Sequence, residues 1–320
     1  MIPSDLMPFW LTLGRPLTRL LFAMCIGLLI ANIVEALRWT QPLARLSAPL
    51  VRLARLREAA GASFSMAFFS PAAANALLSD SHAKGEISLR ELVLANLFNS
   101  LPSWITHTPS IFFLTWPVLG FPAVIYTSLT LLAAVARTLF TVGLGRALLP
   151  PPPQVAAMTV PTTPGSPWKK GLHSAWRRFK KRVPRLIFVA VPIYVAMFYL
   201  QKAGAFEATE RWLSVHVALL GSLKPESLGI IVLYMGAELG AAVVAAGSVL
   251  HSGGLSTQDV VFALLVGNVL STPLRALRHQ LPAYAAYFQP RLAAKLVAAN
   301  QLLRAASILA VAWLYHGLAF

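Results

Sequence analysis

Two arginines lie deep in runs of apolar sequence. Arg137 follows Ala133-Ala134-Val135-Ala136 midway through 121–146, and Arg304 follows Asn300-Gln301 midway through Leu296–Leu318. A charged residue at the centre of a membrane-spanning helix costs about 2.5–3.5 kcal/mol on insertion scales, so each needs compensation. Guanidinium stays protonated in proteins, and its planar fork of donors matches phosphate or carboxylate. As a pair the two could flank one central anion. Singly, each could tie down carbonyls freed at a broken helix, or snorkel to an interface.

Other polar side chains fall in similar surroundings. Glu238 lies within Leu228–Leu250 and suits a proton carrier, a cation ligand or an arginine partner. Ser70, at a Ser-Pro step, and Asn75, Asn96, Asn99 and Asn268 form a neutral polar set. Asn96 and Asn99 share a helix face at i, i+3. These residues could orient a polar substrate or join helices by hydrogen bonds. His107 follows Ser100-x-Pro102, and Arg275, Arg278 and His279 follow Ser271-x-Pro273. Both groups fit a cavity mouth or a membrane interface. There is no P-loop, Gly-x-Ser-x-Gly elbow, His-Glu-x-x-His or paired-cysteine motif, so no enzyme, cofactor or metal is expected. The lone Cys25, within the first apolar run, is given no role.

The elements that would position these groups are membrane helices. The chain has 320 residues, of which 57% are hydrophobic and 12% charged. Soluble domains carry roughly a quarter charged residues. Leu20–Leu37, Ala123–Leu149, Leu186–Gln201, Leu228–Leu250 and Leu296–Leu318 are the clearest candidates to cross ~30 Å of hydrocarbon. The first is read as a retained helix, not a signal peptide. The net charge of +16 concentrates in loops, where it sets topology, so nucleic acid is not an expected partner.

Pro150–Pro153 and the basic run from Lys169 to Arg185 divide the chain. Residues 1–149 form a first repeat, 150–185 a proline-rich basic cytoplasmic linker, and 186–320 a second repeat. Arg19-Leu20-Leu21-Phe22 matches Arg185-Leu186-Ile187-Phe188, and Ser88 with Glu91 matches Ser256 with Asp259. Ser100-x-Pro102 matches Ser271-x-Pro273, and Arg137 matches Arg304. Arg38, Arg45, Arg52, Arg55 and Arg57 make 38–57 strongly basic, whereas 202–226 balances its charges. Equivalent loops on opposite sides mean inverted topology, a recurrent transporter architecture.

The predicted fold is an all-α integral membrane protein of two inverted repeats, with about six transmembrane helices and two re-entrant hairpins. Residues 41–57 read as an amphipathic surface helix, Gly61–Ser79 as a hairpin broken at Ser70-Pro71, and Leu89–His107 as one crossing. The second hairpin falls near Ala237–Gly240.

The stretches Phe68-Phe69-Ser70-Pro71-Ala72-Ala73-Ala74-Asn75-Ala76 and Ile87-Ser88-x-Arg90-Glu91-Leu92-Val93-Leu94-Ala95-Asn96-Leu97-x-Asn99-Ser100-x-Pro102 resemble the nucleoside-recognition, or gate, domain membrane proteins. That superfamily is similar to spore maturation membrane proteins, the gate regions of ferrous-iron permeases and concentrative nucleoside transporters. The resemblance spans most of 58–147 and, more weakly, 228–310. It implies an inverted-repeat bundle with re-entrant hairpins. The second half lacks the Ser-Pro, and the cysteines of the iron permease gates are absent.

The expectation is therefore a multi-pass inner-membrane secondary transporter or flippase. Its substrate would be polar and anionic, phosphate-bearing or lipid-linked, bound at the repeat interface. Two alternatives stay open: a permease for nucleosides or other small solutes, and a non-transporting scaffold for a partner complex. The bilayer is the expected partner, and a homo-oligomer is compatible with the fold.

Overall fold

The computed structural model describes residues 10–36, 48–151 and 223–319, with scattered positions between 172 and 203. The linker and the expected crossing Leu186–Gln201 lie largely outside the described residues. The described chain is all helical, without a strand. A π turn (Trp10–Gly14) leads into α1 (Arg15–Ala36). Then come α2 (Ala48–Leu53), α3 (Glu58–Ala67), α4 (Pro71–Ala83), α5 (Leu89–Phe98), α6 (Ser100–Leu119) and α7 (Phe121–Leu148). The second part contains α8 (Pro225–His251), α9 (Thr257–Leu270), α10 (Thr272–Arg275), a π turn (Ala276–Gln280), α11 (Leu281–Ala285) and α12 (Pro290–Ala319). Among the described residues, two helices are long and apolar enough to cross a membrane, Phe121–Leu148 and Pro290–Leu318.

The break between α3 and α4 follows from local chemistry. Pro71 cannot continue a helix from the preceding turn, and it holds Ser70 in an extended conformation. The Ser70 hydroxyl then accepts the backbone N–H of Ala73 at 3.2 Å, and α4 restarts. The two short helices pack together. The backbone N–H of Arg57, before α3, donates to Glu91 at 2.7 Å, and the Arg57 guanidinium donates to the Glu86 carbonyl beyond α4 at 2.8 Å. Both ends of the hairpin therefore meet.

Segment α8 does the same without a proline. A straight helix of this length would hold its ends ~40 Å apart. Yet Lys224, before it, donates to Asp259 beyond it at 2.7 Å. A Cβ on Gly254 would lie 3.8 Å from Cγ of Glu226. So α8 doubles back within its length, and Gly236 and Gly240 bracket the middle.

The turns that follow the two hairpins are built alike. Gly85 and Gly253 take φ of +75° and +78°, a conformation suited to glycine. Ser88 and Ser256 cap the next helices, each accepting a backbone N–H three residues on. Glu91 and Asp259 sit buried in those first turns. Each pairs with the cation that precedes its hairpin: Arg57 at 3.5 Å and Lys224 at 2.7 Å.

Two expectations need correction. Residues 41–57 are not one amphipathic surface helix over their described part: α2 stops at Leu53, and Val51, Ala54 and Leu56 are buried. Arg55 takes φ of +55° and donates to the carbonyl of Leu149, closing the end of α7. Apolar contact won there over the basic stripe. Leu89–His107 is not one helix either. It breaks at Asn99, and the 20-residue α6 runs on from Ser100, packed along α1 and α7.

The long helices α7 and α12 pack on each other, and α5 and α9 each touch both. Along α7, Ala133, Ala134, Arg137, Thr138, Thr141 and Gly145 form the buried face. That i, i+3, i+4 stripe is small enough to admit a close neighbour.

Candidate functional site

Arg137 is 5% exposed, on the inner face of α7. Its Nε donates to the Ser100 hydroxyl at 3.0 Å and its Nη1 to the Ser307 hydroxyl at 3.3 Å. Ser100 begins α6 and Ser307 lies on α12, so this guanidinium joins the two parts of the chain. Ser307 in turn donates to the carbonyl of Arg304 at 2.9 Å, a back-bond within α12. The charge of Arg304 lies near enough to act on Arg137, and the two residues meet through Ser307.

Arg304 points toward α9. Its Nη2 donates to Asn268 Oδ1 at 2.7 Å. The Asn268 amide donates to the Tyr126 hydroxyl at 2.8 Å, and Tyr126 shares a hydrogen with the Tyr234 hydroxyl at 2.9 Å. Arg304 Nη1 is buried with no hydrogen-bond partner. Among the described residues no carboxylate pairs with Arg137 or Arg304. Buried charge is ordinarily paired; among the described side chains this cationic centre has no carboxylate.

Beside it lies a neutral cluster at the first hairpin. Asn96 on α5 donates to Asn75 Oδ1 on α4 and to the Tyr284 hydroxyl on α11, each at 3.2 Å. Asn99 donates to the Ser63 hydroxyl at 2.9 Å, and Ser63 donates to the Ala74 carbonyl at 3.1 Å. Asn99 Oδ1 is buried without a partner. Because Asn99 and Ser100 are consecutive, the neutral cluster borders the Arg137 contact.

The structure thus gathers Arg137, Arg304 and Asn268 into one centre, and Asn75, Asn96 and Asn99 into the adjoining one. Two expected site residues fall elsewhere. The Ser70 hydroxyl serves as the α4 cap, and His107 is exposed on α6. Both roles follow from place in a helix: Ser70 is the N-cap ahead of Pro71, and His107 lies on the outer face of α6. The side chains of Glu238 and Arg278 lie outside the described ones.

Sequence reasoning missed Tyr126, Tyr234, Tyr284, Ser63, Ser100 and Ser307 as site partners, and it left Arg275 at a cavity mouth or a membrane interface. A tyrosine in an apolar helix carries a hydroxyl that wants a partner when buried, which is the signal that could have found three of them.

No family model matches the chain, and no solved structure matches it. Two proteins of Methanocaldococcus jannaschii are similar. The uncharacterized protein MJ0871 is 28% identical over 275 residues, covering 85% of this chain and 84% of that one. The uncharacterized protein MJ1556 is 26% identical over 260 residues, covering 81% of each chain. In both the similarity runs through most of each chain, so it takes in both parts of this one.

Proposed function

We propose that this chain is a multi-pass membrane transporter of two inverted repeats that carries a polar anion past the Arg137–Arg304 pair, between two re-entrant hairpins. The observation that carries the reading is Arg304 Nη1, buried and unpartnered beside a second buried guanidinium. An anion would supply the missing acceptors and the missing charge together, with charge-assisted bonds stronger than neutral ones.

The membrane setting draws support from the outer faces of the long helices. Phe140 is 54% exposed, Trp313 70% and Leu318 80%. Large apolar side chains arrayed on that scale need an apolar surrounding. Duplication draws support from the matched turns at Gly85 and Gly253, the matched serine caps and the matched ion pairs. The resemblance to gate-domain proteins agrees with a paired-hairpin architecture.

The test is flux in reconstituted vesicles. Arg137→Ala and Arg304→Ala each abolish movement of phosphate or of a phosphate-headed lipid, while the protein remains folded. Normal flux in the double variant would remove the anion reading. Permeation of nucleosides is a second reading, favoured by Asn99 Oδ1, a buried acceptor without a donor in the neutral cluster. Uridine uptake lost on Asn99→Ala but retained on Arg304→Ala would select it.

A further inference from the structure

We infer that Arg275 is the third cation of the anion site and that the site selects a phosphate monoester, with two negative charges, over singly charged anions. This inference rests on the anion reading above.

Arg275 ends the short helix α10, just past the Ser-x-Pro step. Its guanidinium carbon lies 5.8 Å from the ring centre of Tyr234, and its Nη2 donates to the Ser271 hydroxyl at 2.8 Å. Ser271 donates to the Asn268 carbonyl at 2.9 Å, and the Asn268 side chain holds Arg304. Tyr234 reaches the same asparagine through Tyr126. Two routes of contact therefore tie Arg275 to the residue that positions Arg304, and its charge lies near enough to act on Arg304.

Among the described residues no carboxylate pairs with Arg275. A tyrosine face attracts a guanidinium through its quadrupole but carries no net charge. Arg137, Arg304 and Arg275 thus bring three positive charges to a site lined by hydroxyls and amides. A carboxylate or a phosphodiester brings one negative charge and leaves two cations uncompensated. An ionised phosphate monoester brings close to two charges and three strong acceptor oxygens. The shared chemistry covers both a free phosphate monoester and a monoester lipid headgroup.

The experiment measures binding of methyl phosphate and of dimethyl phosphate to the full chain in phosphatidylcholine nanodiscs at one neutral pH. The wild-type chain prefers the monoester by about tenfold or more, as an added charge-assisted contact gives. Arg275→Gln can still bond Ser271 but lacks the charge, and its preference falls below about threefold. Arg275→Lys restores part of it. Thermal unfolding confirms that both variants are folded. An Arg275→Gln chain that keeps the full preference overturns the inference and leaves the anion reading standing. A wild-type chain that binds both probes equally does the same, whereas one that binds neither removes both.

Vesicle assays then separate the sources. Flipping of phosphatidic acid in phosphatidylcholine vesicles assigns a lipid headgroup, and counterflow of entrapped methyl phosphate assigns a free solute. Dimethyl phosphate or phosphatidylcholine moving as fast as these overturns monoester selection.

Discussion

Arg137 on α7 and Arg304 on α12 are joined through a single hydroxyl: Ser307 accepts from Arg137 Nη1 at 3.3 Å and donates to the Arg304 carbonyl at 2.9 Å. The two guanidiniums are not equally provided for. Arg137 has two hydroxyl acceptors, on α6 and on α12, whereas Arg304 leaves Nη1 buried and unpartnered. Arg137 ties α7 to α6 and α12, and on the proposed reading Arg304 keeps Nη1 for a ligand.

Stability and binding should therefore separate at Arg304. Arg304→Gln removes the charge but keeps a donor for Asn268 Oδ1. Its thermal unfolding without ligand moves upward, by the equivalent of about 1 kcal/mol, because an unsatisfied buried group is gone. Stabilisation by added phosphate disappears. Arg137→Gln breaks contacts with Ser100 and Ser307 and loses roughly 1–3 kcal/mol. Unfolding midpoints with and without phosphate check both, and a drop for Arg304→Gln as large as that for Arg137→Gln would show that Arg304 is a structural tie.

The two hairpins are closed by acids in unlike settings. Asp259 accepts from the Ser256 backbone N–H at 2.9 Å, from the Ser256 hydroxyl at 2.7 Å and from Lys224 at 2.7 Å. Asp259→Ala removes a capping box and costs about 1–2 kcal/mol. Lys224→Met leaves the cap intact and costs less than about 1 kcal/mol, since the lysine side chain is half exposed. A chemical-denaturation cycle over the two sites gives the coupling, and a larger loss at Lys224 would contradict this order.

The paired arginines were legible because charge inside apolar sequence is rare enough to stand out. The Ser70-Pro71 break was legible because proline acts locally. The reversal inside α8 was placed near Gly240 by correspondence with the first hairpin, since Gly236 and Gly240 alone do not mark a break. Arg275 was not legible as a site residue: it ends α10 and lies over the Tyr234 ring, and only the folded chain shows that approach. The amphipathic reading of 41–57 failed because Val51 packs on Gly61 of the next helix, a contact between elements that periodicity does not encode.

Glycine substitutions should rank by what surrounds each position. A Cβ on Gly145 would run into the backbone oxygen of Ala54, so α7 and the turn after α2 must separate. Gly145→Ala is expected to cost about 1–3 kcal/mol, as overpacking does. Gly85 and Gly253 have open space around a Cβ, so alanine there meets only the left-handed backbone penalty, about 1–2 kcal/mol. The informative comparison is between those two: near-equal losses are expected from near-equal φ and surroundings, measured by thermal unfolding in one detergent.

The proposed inversion can be tested at the turns that end the hairpins. Lys84 closes α4 and Ser252 closes α8, and both are exposed. Each hairpin returns to the side from which it enters, because Arg57 meets Glu86 and Lys224 meets Asp259. The basic segment 38–57 therefore draws the Lys84 turn to the cytoplasmic side, under the positive-inside rule. Inversion puts the Ser252 turn on the opposite side. In a Cys25→Ser background, Lys84→Cys is expected to react with an impermeant maleimide only from the cytoplasmic face of sided vesicles, and Ser252→Cys only from the other. Reaction of both from one face would make the halves parallel and remove the proposed two-fold relation of Arg137 and Arg304, while their contact through Ser307 would stand.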